Sequence, residues 1–171
     1  MRFLFIFLFP FQLFSQCVVP AIILETVKIT ENETLYPFWI RTNDTKRLDE
    51  FNETIKYFKY KKTEDNKLID CINVDNCTKI VTTLVSKNIK NLDLGLFQIN
   101  YKDYPYSSMN KYFDEILSYE IACDVIQEKI KIAKSWSWTT LASYYSSTPH
   151  LNEKYKTKLI NNYLKLTKNS K

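Results

Sequence analysis

Apolar positions recur at helical spacing along much of the chain, starting close to its beginning. Val19, Ile23 and Val27 are four residues apart, which places their side chains on one face of a predicted helix over 18–31. Glu31 continues the same face in the last turn of this helix. Helical periodicity also marks three later stretches: 109–133, 138–145 and 151–166. The first of these is predicted to form either one long helix or a broken one.

The region between these helices gives a less regular pattern. Residues 36–43 are typical of extended or loop structure, and 44–74 are polar and ambiguous, with 54–61 compatible with either a strand or a helix. Asp75 or Asn76 is suited to cap a helix that runs to about residue 87. We therefore expect one mainly α domain, with at most a small β-hairpin within 38–72.

The first 16 residues have the composition of a secretory signal peptide. Arg2 precedes an apolar run over 3–14 that is too short to span a bilayer, and we expect cleavage near Ser15 or Gln16. The alternatives are a lipid on Cys17, which the bulky preceding glutamine disfavours, and an uncleaved anchor. Three segments result: a signal peptide (1–16), a folded domain (17–166) and a basic tail (167–171).

Export would bring the four cysteines into an oxidising compartment, where they can form disulfides. Cys71 and Cys77 would close a small loop and leave Cys17 and Cys123 for each other, but this is one of three pairings among which the sequence does not choose. The cysteines lack the paired spacing of a zinc site and the chain has one histidine, so we expect no metal and no cofactor.

The formal net charge of +5 is moderate and is not concentrated in a dense basic stripe. It fits an anionic polymer of the cell envelope and argues against a nucleic-acid partner. No later segment is apolar enough to span a membrane, so we expect no stable membrane span once the leader is removed.

The only glycine of the chain lies in the segment Asn91-Leu-Asp-Leu-Gly-Leu-Phe-Gln-Ile-Asn-Tyr101. Gln98 and Asn100 alternate there with apolar residues, and this mixture of amides and apolar surface suits a sugar. The segment resembles the Gly-Leu-Met-Gln-Ile-Asn motif of lysozyme-like lytic transglycosylases, with Gly95 on the motif's glycine and Phe97 in place of the methionine.

Two further segments carry the same resemblance, in the order that the family has them. Glu31 lies where these enzymes have Glu-Ser at a helix end, and 36–43 is similar to the proline-containing stretch that follows. Residues 144–149 are similar to the Tyr-His-Ser-x-Thr-Pro segment of members associated with type IV secretion and conjugation systems. Tyr144 falls on the tyrosine, which in the family faces the groove, and Tyr145 replaces the histidine.

Cleavage of a glycosidic bond needs a carboxylic acid that stays protonated near neutral pH. Glu31 is the candidate, because a buried face and the negative end of a helix dipole both raise the pKa of a carboxyl. Glu25 falls on a different face of the helix, and Glu33 lies beyond its end. Asn32 replaces the family's serine, which leaves open how the carboxyl is oriented, since an amide can donate a comparable hydrogen bond but has a different reach.

The resemblance implies a lysozyme-like domain of the α+β lysozyme superfamily that acts in the periplasm as a peptidoglycan lytic transglycosylase. Glu31 would serve as both acid and base, for local wall opening by a secretion or conjugation apparatus. We expect Asp93 to brace the glycine turn. The alternatives are a lysozyme-type hydrolase and an inactive glycan-binding or secretion-assembly protein. The glycan would contact four residues: Gly95, Gln98, Asn100 and Tyr144.

Overall fold

The computed structural model describes residues 17–169 of the chain. The predicted signal peptide lies outside the described residues, as do the last two residues of the predicted tail. Within the described range the fold is mixed and helix-rich, with one small antiparallel sheet.

Within 17–169, six α-helices and two short 3₁₀ turns form the helical part. The 3₁₀ turns are Thr45–Arg47 and Met109–Tyr112. The helices are α1 (Ala21–Glu31), α2 (Leu48–Ile55), α3 (Val74–Ser86), α4 (Glu115–Ala133), α5 (Trp138–Ala142) and α6 (Pro149–Asn169).

Several helix boundaries differ from the sequence predictions. Asn73 caps α3, because its side chain accepts a hydrogen bond from the backbone N–H of Asn76, so both predicted caps were wrong. Of the two forms predicted for 109–133, one long helix or a broken one, the structure has the broken one, and the Asp114 side chain caps α4 by accepting from the Leu117 N–H at 2.9 Å. Helix α6 continues to Asn169, so 167–169 are helical although we assigned them to a tail.

The sheet is larger than the predicted hairpin. Its strands are β1 (Trp39–Thr42), β2 (Lys61–Lys62), β3 (Leu68–Asp70), β4 (Leu92–Leu94) and β5 (Ile99–Asn100). All neighbours are antiparallel, in the order β2-β3-β1-β4-β5. Strands this short contain too few alternating positions for a period of two to stand out in the sequence.

The single glycine lies in the turn that joins β4 to β5. Gly95 has a φ of +71°, and a Cβ built on it would lie 1.8 Å from the carbonyl oxygen of Tyr112. Tyr112 and Phe97 are among the large side chains of the core. The glycine is therefore required because the second 3₁₀ turn packs directly against the backbone of the β4–β5 turn.

Two disulfides resolve the pairing that the sequence left open. Cys17 pairs with Cys123 of α4, and Cys71 pairs with Cys77 of α3. The first bond fixes the residues before α1 against α4, and it leaves no thiol on Cys17 for a lipid. Two disulfides are consistent with a secreted protein. No helix within 17–169 combines the length and the apolar character needed to cross a bilayer.

Candidate active site

Glu31 is the last residue of α1, as predicted. The buried side chains of Ile23 and Val27 fix the helix on the core, and α6 packs along it. Asn32 ends the helix with extended backbone, and its N–H donates to the carbonyl of Lys28 at 2.9 Å. The end of α1 therefore delivers the Glu31 carboxyl to the wall of a cleft.

The orienting partner of Glu31 is a tyrosine and not the amide that the sequence suggested. The Asn32 amide donates to the carbonyl of Tyr36 at 2.7 Å and accepts from the Thr34 hydroxyl at 2.8 Å, so it shapes the loop after α1. The hydroxyl of Tyr155 donates to Glu31 Oε1 at 2.5 Å. The Asn32 amide therefore does not orient the Glu31 carboxyl.

Tyr155 is held in place by its position on α6 and by a second tyrosine. Its side chain is buried, and its ring stacks on Tyr145 with centroids 5.1 Å apart and an interplanar angle of 15°. Sequence reasoning missed this residue as a partner of Glu31. The available signal was its position just after the segment 144–149 that resembles the transglycosylases.

The surroundings of Glu31 favour its protonated form. Burial raises the pKa of Glu31 to about 8, and the negative charge of Asp93 acts in the same direction. The hydrogen bond from Tyr155 and the positive charges of Lys158 and Arg41 lower the pKa without overcoming burial. The carboxyl therefore carries a proton at neutral pH and can donate it to a bound substrate.

A second carboxyl, that of Asp93 on β4, lines the same cleft. Its two oxygens accept hydrogen bonds from the amides of Asn43 at 2.6 Å and Asn100 at 2.8 Å. Burial raises the pKa of Asp93, while these two amide hydrogen bonds lower it in part. We expected Asp93 to brace the Gly95 turn; it instead links β5 to the end of β1.

The cleft consists of two adjoining cavities of about 440 and 480 Å³. They share six lining residues: Glu31, Asn43, Asp93, Gln98, Tyr145 and Leu151. We call the first the α4 lobe, whose further walls include Asn100, Asp103, Tyr104, Lys129 and Tyr144. We call the second the α6 lobe, whose further walls are Thr30, Arg41, Lys154, Tyr155 and Lys158.

Gln98 lines both lobes, whereas Gly95 lines neither. The Gln98 backbone has a φ of +46°, and its side-chain amide donates to the Gly95 carbonyl at 2.8 Å. Its amide oxygen has no hydrogen-bond partner within 17–169 and can accept one from a ligand. The expectation that a glycan lies against Gly95 was wrong, because Tyr112 occupies that position.

Asn100 and Tyr144 line the α4 lobe, but protein groups already bind their polar atoms. The Asn100 amide nitrogen donates to Asn91 and Asp93, and its oxygen accepts from the backbone N–H of Lys102. The Tyr144 hydroxyl donates to the carbonyl of Phe97 at 2.9 Å. Asn100 therefore positions Asp93, and the Tyr144 hydroxyl positions the β4–β5 turn. The ring of Tyr144 remains part of the wall of the α4 lobe.

No group of three or more histidine, cysteine, aspartate or glutamate side chains that could hold a metal ion comes together in the described range. The chemistry that this cleft offers is that of a protonated carboxyl beside a hydrogen-bonded one. Protein-family models, curated proteins and solved structures give no match to this chain.

Proposed function

We propose that this protein is a lysozyme-like lytic transglycosylase of the periplasm that cleaves peptidoglycan between N-acetylmuramic acid and N-acetylglucosamine. The observation that carries the proposal is the half-buried Glu31 carboxyl in the wall of a large cleft, with burial raising its pKa to about 8. The three matched segments support it, because Glu31, Gln98 and Tyr144 all line this one cleft.

One carboxyl is enough for both halves of the reaction. Protonated Glu31 gives its proton to the glycosidic oxygen, and the bond from that oxygen to C1 of the muramic acid breaks. The C6 hydroxyl of the same sugar then attacks C1 and passes its proton to the Glu31 carboxylate. The products are a 1,6-anhydro sugar and a free C4 hydroxyl, Glu31 is protonated again, and no water is consumed.

Asp93 fits this reaction as an electrostatic partner. Positive charge develops at C1 as the glycosidic bond breaks, and a carboxylate in the same cleft stabilises it. Two amides hold the Asp93 oxygens, so the group stays fixed on the sheet. Gln98 supplies an amide acceptor to the acetamido groups, and the half-exposed ring of Tyr145 supplies apolar surface to a sugar face.

The presence of Asp93 beside Glu31 also favours a second candidate function. A lysozyme-type hydrolase uses two carboxyls across the scissile bond, and Asp93 would be the second. We prefer the transglycosylase because the matched segments are those of that family. Local opening of the wall for a type IV secretion or conjugation apparatus is the setting that the segment 144–149 supports.

The test is mass analysis of the fragments that the mature protein releases from purified peptidoglycan, with Glu31→Gln as the control. We expect anhydro-muropeptides from the wild type and none from the variant. Reducing-end products would instead establish the hydrolase. A folded wild-type protein that releases nothing would contradict both and favour a glycan-binding role.

A further inference from the structure

The two lobes of the cleft differ in charge. The α6 lobe is lined by three cationic side chains: Arg41, Lys154 and Lys158. Among the described residues, its acidic side chains are those of Glu31 and Asp93. The α4 lobe balances Lys129 against Asp103 and shares Asp93. An anionic part of a ligand is therefore attracted to the α6 side of Glu31.

Lys154 and Lys158 are the cations available to a ligand. They lie four residues apart on α6, so both project from the same face of the helix. Both are exposed, and neither has an ion-pair partner in the part of the chain that the structure describes. By contrast, Lys156 of the same helix pairs with Glu153 at 2.6 Å.

Arg41 and Asp93 are already committed to other groups. Arg41 is bound to Asp65 at 2.5 Å, and the two oxygens of Asp93 accept amide hydrogen bonds. Within 17–169, Asp93 forms no ion pair with Lys154 or Lys158, so both lysines remain available to a ligand. A cavity of about 480 Å³ with two free ammonium groups on one wall is suited to a carboxylate that is attached to a sugar.

In peptidoglycan the carboxylates belong to one sugar of each pair. Muramic acid carries a lactyl group at C3, which ends in a carboxylate or continues into a stem peptide with carboxylates of its own. N-acetylglucosamine is uncharged. A cleft with one cationic lobe can therefore distinguish both the type of polymer and the direction in which a strand lies.

We infer that the α6 lobe binds the carboxylate-bearing C3 substituent of a muramic acid residue through Lys154 and Lys158, so that the cleft selects peptidoglycan over uncharged chitin-type strands. This inference rests on the proposed function and adds a substrate preference to it. It also sets the polarity of the bound strand, because a substituted sugar is held on the α6 side of Glu31.

Binding can be measured without turnover in the Glu31→Gln protein. Three tetrasaccharide probes separate the sources of charge. The first is a muropeptide whose carboxylates belong to its stems, the second is the same compound after amidase treatment, which removes the stems and frees the lactyl carboxylate, and the third is chitotetraose, which has no carboxylate. Titration calorimetry compares Glu31→Gln alone with the same protein carrying Lys154→Gln and Lys158→Gln. Lys168→Gln removes a charge from the same helix outside the cleft and serves as the matched control.

We expect at least one carboxylate-bearing probe to bind about tenfold more tightly than chitotetraose, because its carboxylate can form one or two charge-assisted hydrogen bonds with the lysines. The double lysine variant should reduce this ratio to about twofold or less, and Lys168→Gln should preserve it. A preference for the stem-bearing probe assigns the site to peptide carboxylates, and a preference for the amidase-treated probe assigns it to the lactyl carboxylate. Equal affinity for both charged probes shows that the lobe accepts a carboxylate from either source.

Equal affinity for all three probes would overturn the inference, as would a ratio that the double lysine variant leaves intact. The result is separable from that of the proposed function, because binding is measured in a variant that does not need to react. If the wild-type protein releases no products but still prefers charged probes through these lysines, the proposed enzymatic function fails and the proposed carboxylate-binding site stands.

Discussion

At the scale of residues, the raised pKa of Glu31 follows from the position of its carboxyl in the fold. A carboxyl at the end of a helix, enclosed by protein and near Asp93, keeps its proton to higher pH than it does in water, and burial raises its pKa to about 8. The same environment opposes folding once the group ionises. The proposed function and the stability of the fold therefore have opposite requirements at this position.

Replacement of Glu31 by glutamine should stabilise the protein in a pH-dependent way. The unfolded carboxyl ionises near its ordinary pKa of 4.5 and the folded one near 8, so wild-type stability falls as the pH rises between these values. Glutamine does not titrate. We expect the Tm difference between variant and wild type to be close to zero at pH 4, to grow towards pH 8 and then to level off.

Thermal unfolding followed by circular dichroism from pH 4 to pH 9 makes this measurement. Glu33→Gln removes the same charge from an exposed site beyond the helix end and is the control. A Tm difference that stays constant across this range would contradict the assigned pKa.

Tyr155→Phe should shift the pH dependence of activity upwards. The tyrosine hydroxyl stabilises the ionised form of Glu31, so its loss raises the pKa of Glu31 further. The alkaline limb of the kcat/KM profile, expected near pH 8 in the wild type, should move to higher pH. Tyr163→Phe, on the same helix but packed on Trp138, should leave the limb in place. An unchanged limb in Tyr155→Phe would show that its hydroxyl does not act on the proposed catalytic acid, and a downward shift would contradict the assigned direction.

At the scale of elements, the β4–β5 hairpin holds several groups of the cleft at once. Its strand β4 carries Asp93 and β5 carries Asn100, and these two residues are directly opposite each other in the sheet register. Tyr144 binds the turn through the Phe97 carbonyl. The position of the turn against the second 3₁₀ turn therefore sets the geometry on one side of the cleft.

Gly95→Ala should destabilise the fold severely. The new methyl group would overlap the Tyr112 carbonyl, and the residue has a φ of +71° that alanine disfavours. We expect a loss of about 3 kcal/mol or more in the free energy of unfolding, measured with urea. Lys134→Ala, at an exposed position with a φ of 54°, should change the same quantity by about 0.5 kcal/mol or less. Equal losses in the two variants would contradict the packing argument.

At the scale of the whole molecule, the Cys17–Cys123 disulfide joins the beginning of the described chain to α4. The two cysteines are 106 positions apart, whereas Cys71 and Cys77 are 6 apart. A bond that closes a longer loop removes more conformational entropy from the unfolded chain. The long-range bond should therefore contribute more to stability than the short-range one.

Paired alanine substitutions test this difference. Loss of Cys17–Cys123 should lower the free energy of unfolding by about 4 kcal/mol, and loss of Cys71–Cys77 by about 2 kcal/mol. Urea unfolding of the two double variants, each compared with the wild type, gives the values. A larger loss for the short loop would show that loop entropy does not govern the contribution of these bonds.

The sequence predicts the position of a residue when that position depends only on the helix or short motif to which the residue belongs. Glu31 could be placed at a helix end because Val19, Ile23 and Val27 lie on one face, and α1 does end there. The site residues Gln98 and Tyr144 were found through short motifs, and both line the cleft.

Roles that depend on distant partners could not be read from the sequence. Tyr155 and Glu31 are 124 positions apart, and no local pattern links them. The strands that carry Arg41 and Asp93 are only three or four residues long, too short to show a period of two. The group that requires a glycine at position 95 is the backbone carbonyl of Tyr112. Every residue has such a carbonyl, so the sequence does not indicate which one packs against Gly95.

The central claim is that Glu31 drives cleavage with a nucleophile that belongs to the substrate. The most direct measurement is digestion of peptidoglycan in ¹⁸O-labelled water, followed by mass analysis of the released muropeptides. We expect anhydro products that contain no ¹⁸O and that disappear with Glu31→Gln. Products that carry ¹⁸O at a new reducing end would contradict it, because water would then be the nucleophile.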